Sequence, residues 1–300
     1  MALVVRRAIL LAVLQIAYAV TDGRLRSLQF AVPAAPTEID PREWHGQELQ
    51  DCIAATLHNF KKGGFFVDLA ANDAVTFSNT FSLEQRYGWR GLCVEPNPTY
   101  HQRLLQLRNC SVVAAAVSDV EGQASFEFLQ EKPPLDESRY AYSHGVYGHL
   151  AKRMSKTATA VWTVPFSKLL TETGVPRTID FMSLDCEGSE EKVMQTFPWR
   201  THIISVLAVE YPSAGLKASL EKHGYQSICR AGTARDQLYV HWESMGPGIS
   251  RLFPTVDWRK AVHSSCAELL FASGGECEAA HRRHRKSNYR ITGMLRTHTN

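Results

Sequence analysis

The chain predicts a doubly wound α/β domain with a mainly parallel sheet, and three observations carry that expectation. Short apolar runs alternate with amphipathic segments between Phe65 and Val117, the rhythm of parallel strands joined by helices. The same rhythm resumes between Ile179 and Gly224. Acidic residues stand where the runs end, at Asp68, Glu95 and Asp119. Those are the carboxyl ends of the strands, where such folds keep their ligand crevice.

The elements follow in order. Arg6-Arg7 precedes an uncharged apolar run from Ala8 to Val20, and Ala17-Tyr18-Ala19 has the small-x-small form of a cleavage site. Residues 1–19 therefore read as a signal peptide for the secretory pathway, leading to the endoplasmic reticulum or Golgi lumen or to secretion. An uncleaved membrane anchor is the alternative. Residues 20–46, with Pro33, Pro36 and Pro41, read as a linker.

The folded domain is expected over residues 47–245. Leu49, Cys52, Ile53, Leu57 and Phe60 recur at helical spacing, and Gly63-Gly64 stops that helix. Phe65 to Leu69 is a strand buried on both faces. Asn79 to Tyr87 is a helix, Arg90 to Glu95 a strand, and Pro98 opens a helix through Leu107. Ser111 to Val117 is a third strand, and Ala124 to Leu129 an antiparallel edge piece. A long polar loop follows, with Tyr140, Tyr142, His144, Tyr147 and His149. It suits either a substrate lid or a solvated loop. Ile179 to Leu184 and His202 to Val209 are strands, each followed by a helix. Tyr225 to Cys229 and Gln237 to Trp242 are close enough to pair as a hairpin, so the sheet has seven strands.

Charge and cysteine usage narrow the class. Residues 246–300 carry nine Lys and Arg against four Asp and Glu and read as a basic tail outside the fold. Within it, His281 to Lys286 is a solvated cluster or a contact for an anionic glycan or membrane surface. The rest of the chain is slightly acidic, which argues against a nucleic-acid footprint. Seven cysteines permit disulfides in an oxidising lumen, with one left over. Cys93 and Cys186 lie in apolar strand-like runs and read as packed thiols, and Cys266 with Cys277 as a pair. No spacing suits zinc.

The strand ends suggest a nucleoside site. The first strand runs through Asp68 into a tight turn before a helix, whose free N–H groups suit an anion. Glu95 is placed to accept hydrogen bonds from both ribose hydroxyls. Ser118-Asp119 stands where an adenine edge would lie. The bland alternative is that Asp68 and Glu95 cap helices or pair with surface cations.

The segments VDLAAND, SNTFSLEQRYGWRGL and VEPNP between Phe65 and Pro98, and IDFMSLDCEGSE from Ile179 to Glu190, resemble FkbM-type methyltransferases. The likeness spans roughly Gln47 to Trp242. It implies a class I methyltransferase sheet in order 3-2-1-4-5-7-6, S-adenosyl-L-methionine as cofactor, and O-methylation of a small-molecule or glycan hydroxyl. Carried over, Asp68, Ala70 and Asn72 belong to the methionine loop, Glu95 to the ribose, and Ser118 and Asp119 to the adenine. Such proteins usually have glycine where Ala70 and Ala74 stand, and glycine there permits positive φ. The SNT…GWRGL stretch is also similar to the Star-type branch, which implies a non-catalytic secretory cargo protein with a decayed site. Methyl transfer to a hydroxyl needs a base, and Asp185 is the first candidate and Glu187 the second. Glu187 alternatively serves only the start of the next helix. With Glu210 the pair could also hold a divalent cation, although no metal is expected.

Overall fold

The structure is a computed structural model, and it describes residues 12–21, 24–33, 43–129, 147–150, 159–231, 236–261, 264–266 and 277–278. Arg6-Arg7, the loop residues Tyr140, Tyr142 and His144, and the cluster His281 to Lys286 lie outside the described residues.

The main sheet is built from β1 (Ala12–Thr21), β2 (Arg24–Pro33), β3 (Phe65–Leu69), β4 (Arg90–Val94), β5 (Ser111–Val113), β10 (Thr178–Leu184), β11 (Ile203–Glu210), β12 (Tyr225–Ala231) and β13 (Asp236–His241). Its order is β12-β13-β11-β10-β3-β4-β5-β1-β2. The expected count of seven is thus corrected to nine. The two added strands come from the segments read as leader and linker: β1 and β2 form an antiparallel hairpin, and β1 lies parallel to β5, with Ala17 opposite Val112. An apolar run with free backbone groups satisfies them on an open sheet edge as readily as in a helix. From β5 to β11 the neighbours are parallel, and β13 is antiparallel to both β11 and β12.

A second sheet of four strands, in order β6-β9-β7-β8, holds β6 (Ala116–Ser118), β7 (Gly122–Leu129), β8 (Tyr147–Leu150) and β9 (Thr159–Pro165). It divides the expected third strand: Ser111–Val113 stays in the main sheet, while Ala116–Ser118 turns away to pair with β9. The expected edge piece is β7, paired with β8 and β9 rather than with the main sheet.

Helices cover both faces of the main sheet. On one face α1 (Gln50–Leu57), α2 (Phe81–Tyr87), α3 (Pro98–Leu107) and α7 (Trp242–Leu252) pack Leu57, Phe81, Leu104 and Ile249 against Phe66, Phe181 and Val206. On the other, α4 (Phe166–Thr173), α5 (Glu190–Gln195) and α6 (Ala214–Lys222) pack Leu169, Val193 and Leu216 against Val67, Met182 and Leu207. The adjacent residues Phe66 and Val67 point to opposite faces, as the strand period requires, and both are fully buried. Local signals set the boundaries. Asn97 caps α3 by accepting the Thr99 N–H at 3.1 Å, with Pro98 in the first turn. Gly88 ends α2 at φ 65°. Gly91 lets β4 approach β3, since a β-carbon there would fall 2.4 Å from Phe66.

The basic tail is not loosely coupled over its described part. Trp258, Ala261, Cys266 and Cys277 are buried in the same core as α1 and α7. Gln226 donates its side-chain amide to the Trp258 carbonyl at 3.0 Å, and the Arg230 N–H donates to Ser264 at 3.0 Å. Disulfides complete the attachment, and their pairing corrects the sequence reading. Cys277 is joined to Cys52 and Cys266 to Cys229, while Cys93 is joined to Cys110 instead of standing as a packed thiol. Cys186 is free. Strands and helices bring these cysteines together across as many as 225 residues, a relation that spacing does not reveal. Closing so long a loop is worth about 5 kcal/mol in the chain-entropy picture.

Candidate active site

The carboxyl ends of β3 and β4 meet at one carboxylate. Glu95, buried just beyond β4, accepts the Asn72 N–H at 2.8 Å through one oxygen and the Asn97 N–H at 2.7 Å through the other. It therefore ties the turn after β3 to the turn after β4. A carboxylate has about four acceptor positions, so two remain for hydroxyl donors. Burial pushes the Glu95 carboxyl up to about 7, against the two backbone N–H groups that pull it down.

The turn after β3 is strained where glycine is missing. Ala70 sits at φ 58° and Asn72 at φ 54°. Asparagine tolerates this region, but alanine there costs about 1–2 kcal/mol. The turn is held by the Ala71 N–H, which donates to Val94 at 3.1 Å. Ala74 is buried and is not among the residues with positive φ, so only one of the two alanines occupies a glycine-type conformation.

Asp68 lies beneath this turn, almost wholly buried. It accepts the Thr80 hydroxyl at 2.5 Å and a hydrogen bond from Ser183, its neighbour across the β3–β10 ladder. Burial raises its pKa, while the nearby Arg108 guanidinium opposes the rise. Glu187, at φ 50°, and Tyr211, at φ 45°, add two more strained residues just past β10 and β11. Backbone strain of this kind gathers at functional sites, and four of the eight described non-glycine residues with positive φ lie just past β3, β10 and β11.

A second group of acids stands beside the first. Asp185 and Glu187 follow β10 and Glu210 ends β11; one oxygen from each lies within 4.8 Å of the others. Asp185 and Glu210 share a hydrogen bond, and Asp185 is raised well above the carboxylate range by burial, then by Glu210, Glu187 and Asp236. One Asp185 oxygen is buried and has no donor against it. Asp236 in turn accepts the side-chain amide of Gln50, which brings the start of α1 to this edge. The acid serving the start of α5 is Glu190, which accepts the N–H groups of Cys186 at 2.8 Å and Gly188 at 3.1 Å. Glu187 thus precedes the helix rather than capping it. Three carboxylates at this spacing also suit a divalent cation.

Cys186 joins the two halves. Its thiol is pushed well up by burial and by Glu190, Asp185, Glu95 and Glu187, so it stays protonated and unreactive. Glu95 and Asp185 therefore act on one half-buried thiol, and the two acidic strand ends converge. Ser118 and Asp119 lie at the end of β6, in the second sheet. Asp119 accepts the Ser118 hydroxyl at 3.0 Å and pairs with Lys192 of α5 at 3.4 Å, which holds its carboxyl below the usual range.

Sequence reasoning missed Arg108, Glu84, Thr80, Ser183, Gln50 and Asp236. One signal existed: Glu84 falls three residues after the buried Phe81, on the apolar side of a short helix. A charge in a core position requires a buried partner, and the partner is Arg108.

A doubly wound sheet with a buried carboxylate beyond β4 and an acidic cluster at the ends of β10 and β11 fits the class of S-adenosylmethionine-dependent methyltransferases. The chain belongs to the FkbM methyltransferase family, whose methyltransferase FkbM domain matches residues 68–227. Comparison with curated proteins returns no match. Among solved structures, the chain is similar to a precorrin-6y C5,15-methyltransferase from Geobacter metallireducens GS-15. The identity is 13%, covering 69% of this chain and 90% of that one, at a TM-score of 0.32. That likeness is too loose to bear on site or substrate.

Proposed function

We propose that the protein is an O-methyltransferase that acts on a hydroxyl group of a polyhydroxylated acceptor, such as a glycan or glycolipid. The observation that carries the reading is the Asp185–Glu210 pair: two carboxyl groups joined by one hydrogen bond, with a buried, unpartnered Asp185 oxygen beside them. Burial and the neighbouring carboxylates raise Asp185 well above the ordinary carboxylate range, which makes it a stronger base than a free carboxylate. A positioned base of raised strength is what proton removal from a hydroxyl requires.

S-adenosylmethionine supplies a sulfonium-bound methyl group when bound. Its fit rests on Glu95, whose two remaining acceptor positions suit the ribose hydroxyls, and on a turn that keeps the left-handed conformation at Ala70. With the cofactor bound, the Asp185–Glu210 pair would take the proton of the acceptor hydroxyl. Glu187 lies near enough to orient a second acceptor hydroxyl.

The same reading includes the secretory pathway. Arg6-Arg7 with Ala17-Tyr18-Ala19 supports it, and so do three disulfides, which persist in oxidising compartments. Cleavage near Ala19 removes most of β1 and leaves β5 as the outer strand. Among the described residues no helix is long and apolar enough to cross a membrane. The test is transfer of labelled methyl from S-adenosylmethionine to a panel of glycans, glycolipids and simple alcohols. Label on oxygen of a sugar supports the reading; label on nitrogen or carbon alone contradicts it.

A further inference from the structure

The turn that receives the cofactor's methionine part lacks its usual glycine and is clamped from behind by a buried arginine. Arg108, just past α3, is almost wholly buried, as are Thr80, Glu84 and Ser78 around it. One guanidinium nitrogen donates to the Ser78 hydroxyl at 3.1 Å and to the Ala74 carbonyl at 3.4 Å. Another donates to the Thr80 hydroxyl at 2.7 Å, and that hydroxyl in turn donates to Asp68 at 2.5 Å. Glu84 faces the third nitrogen at 3.3 Å and also accepts the Asn109 N–H at 2.8 Å. The relay continues past Asp68. Ser183 also bonds Asp68 and accepts the Asn79 side-chain amide at 2.9 Å.

We propose that Arg108 is a positioning residue for the cofactor. Through Ser78, Ala74 and Thr80 it fixes the turn between β3 and α2, and through Thr80 it fixes the Asp68 carboxylate beneath that turn. This rests on the reading of S-adenosylmethionine at the ends of β3 and β4. A purely structural ion pair would need only Glu84. The fork instead spends two of its nitrogens on the cofactor turn, and the donor to Asp68 is itself a member of the relay. The charged groups facing Asp68 are Arg108 at the end of α3, Glu84 on α2 and Glu95 beyond β4. The uncharged donors are Thr80 and Ser183.

The test is calorimetry of the intact protein with S-adenosylmethionine across pH, for the unmutated chain, Thr80→Val, Thr80→Ser and Arg108→Lys. A hydrogen bond to a charged group is worth roughly 10-fold or more in affinity. Thr80→Val should therefore weaken binding about 10-fold near neutral pH. Its loss of binding on acidification should begin at higher pH, because Asp68 loses a donor that favours its charged form. Thr80→Ser keeps the hydroxyl and should restore the profile. If Thr80→Val melts below the assay temperature, Arg108→Lys reads the same relay: it keeps the buried charge, loses the fork and should shift the profile in the same direction. Unchanged binding in these variants, or a loss equal at every pH, overturns the proposal. Absence of binding by the unmutated chain overturns the reading of the site itself.

Discussion

Asp185 and Glu210, at the ends of adjacent strands, share a hydrogen bond between two carboxyl groups. Such a bond exists only if one of them keeps its proton, and in the folded state burial first, then Glu210, raises the Asp185 pKa. The stabilisation it gives is complete below the unfolded Asp value of about 4. It is lost as pH rises through the raised folded value. Asp185→Asn should remove that loss, so the variant's melting temperature should fall less than the parent's as pH rises above about 4. Parallel thermal melts across pH check this. The same variant should retain cofactor affinity while losing about 100- to 10,000-fold in transfer rate.

Glu95 yields a second pH dependence. Its carboxyl titrates at about 7 in the ligand-free protein. Ribose hydroxyls donate only to the ionised form, so cofactor binding should release a proton and weaken as pH falls from 8 to 6. Calorimetry in two buffers of different ionisation heat measures that proton directly. Proton uptake instead would place the ribose elsewhere.

Ala70 and Ala74 should respond oppositely to glycine. Ala70→Gly relieves a positive φ and should stabilise the fold by about 0.5–1 kcal/mol after the added chain entropy is counted. Ala74→Gly removes a fully buried methyl with no such relief, and should cost about 1 kcal/mol. Denaturant titration of both variants distinguishes them.

The disulfides that hold the C-terminal segment should matter as much as the core. Cys277→Ser should cost about 2–5 kcal/mol, read as a lowered melting temperature. Truncation after Ser244 removes Ile249, Trp258, Cys266 and Cys277 from the interior and should abolish cooperative melting. A truncated chain that melts like the parent would contradict the packing described.

The strand ends were the legible part of this molecule. Phe65 to Leu69 and Arg90 to Val94 are apolar because both faces are covered, so Asp68 and Glu95 stand out against them. Asp185 is legible for the same reason, beyond β10. The run from Ala12 to Val20 is not, because an apolar stretch of that length serves a leader or an edge strand equally well. Ser111 to Val117 hides its break, since Ala114 and Ala115 turn the chain from one sheet to the other without glycine or proline. Arg108 and the disulfide partners are tertiary facts: each meets its partner only when distant elements pack.

The central claim is that Glu95 holds the cofactor at the meeting of β3 and β4. Titration of the intact protein and of Glu95→Ala with S-adenosylmethionine tests it most directly. The account predicts saturable heat for the unmutated chain and an affinity lower by roughly 10- to 150-fold in the variant, the worth of a charge-assisted hydrogen bond. Equal affinity in the two proteins, or no heat in either, would contradict it.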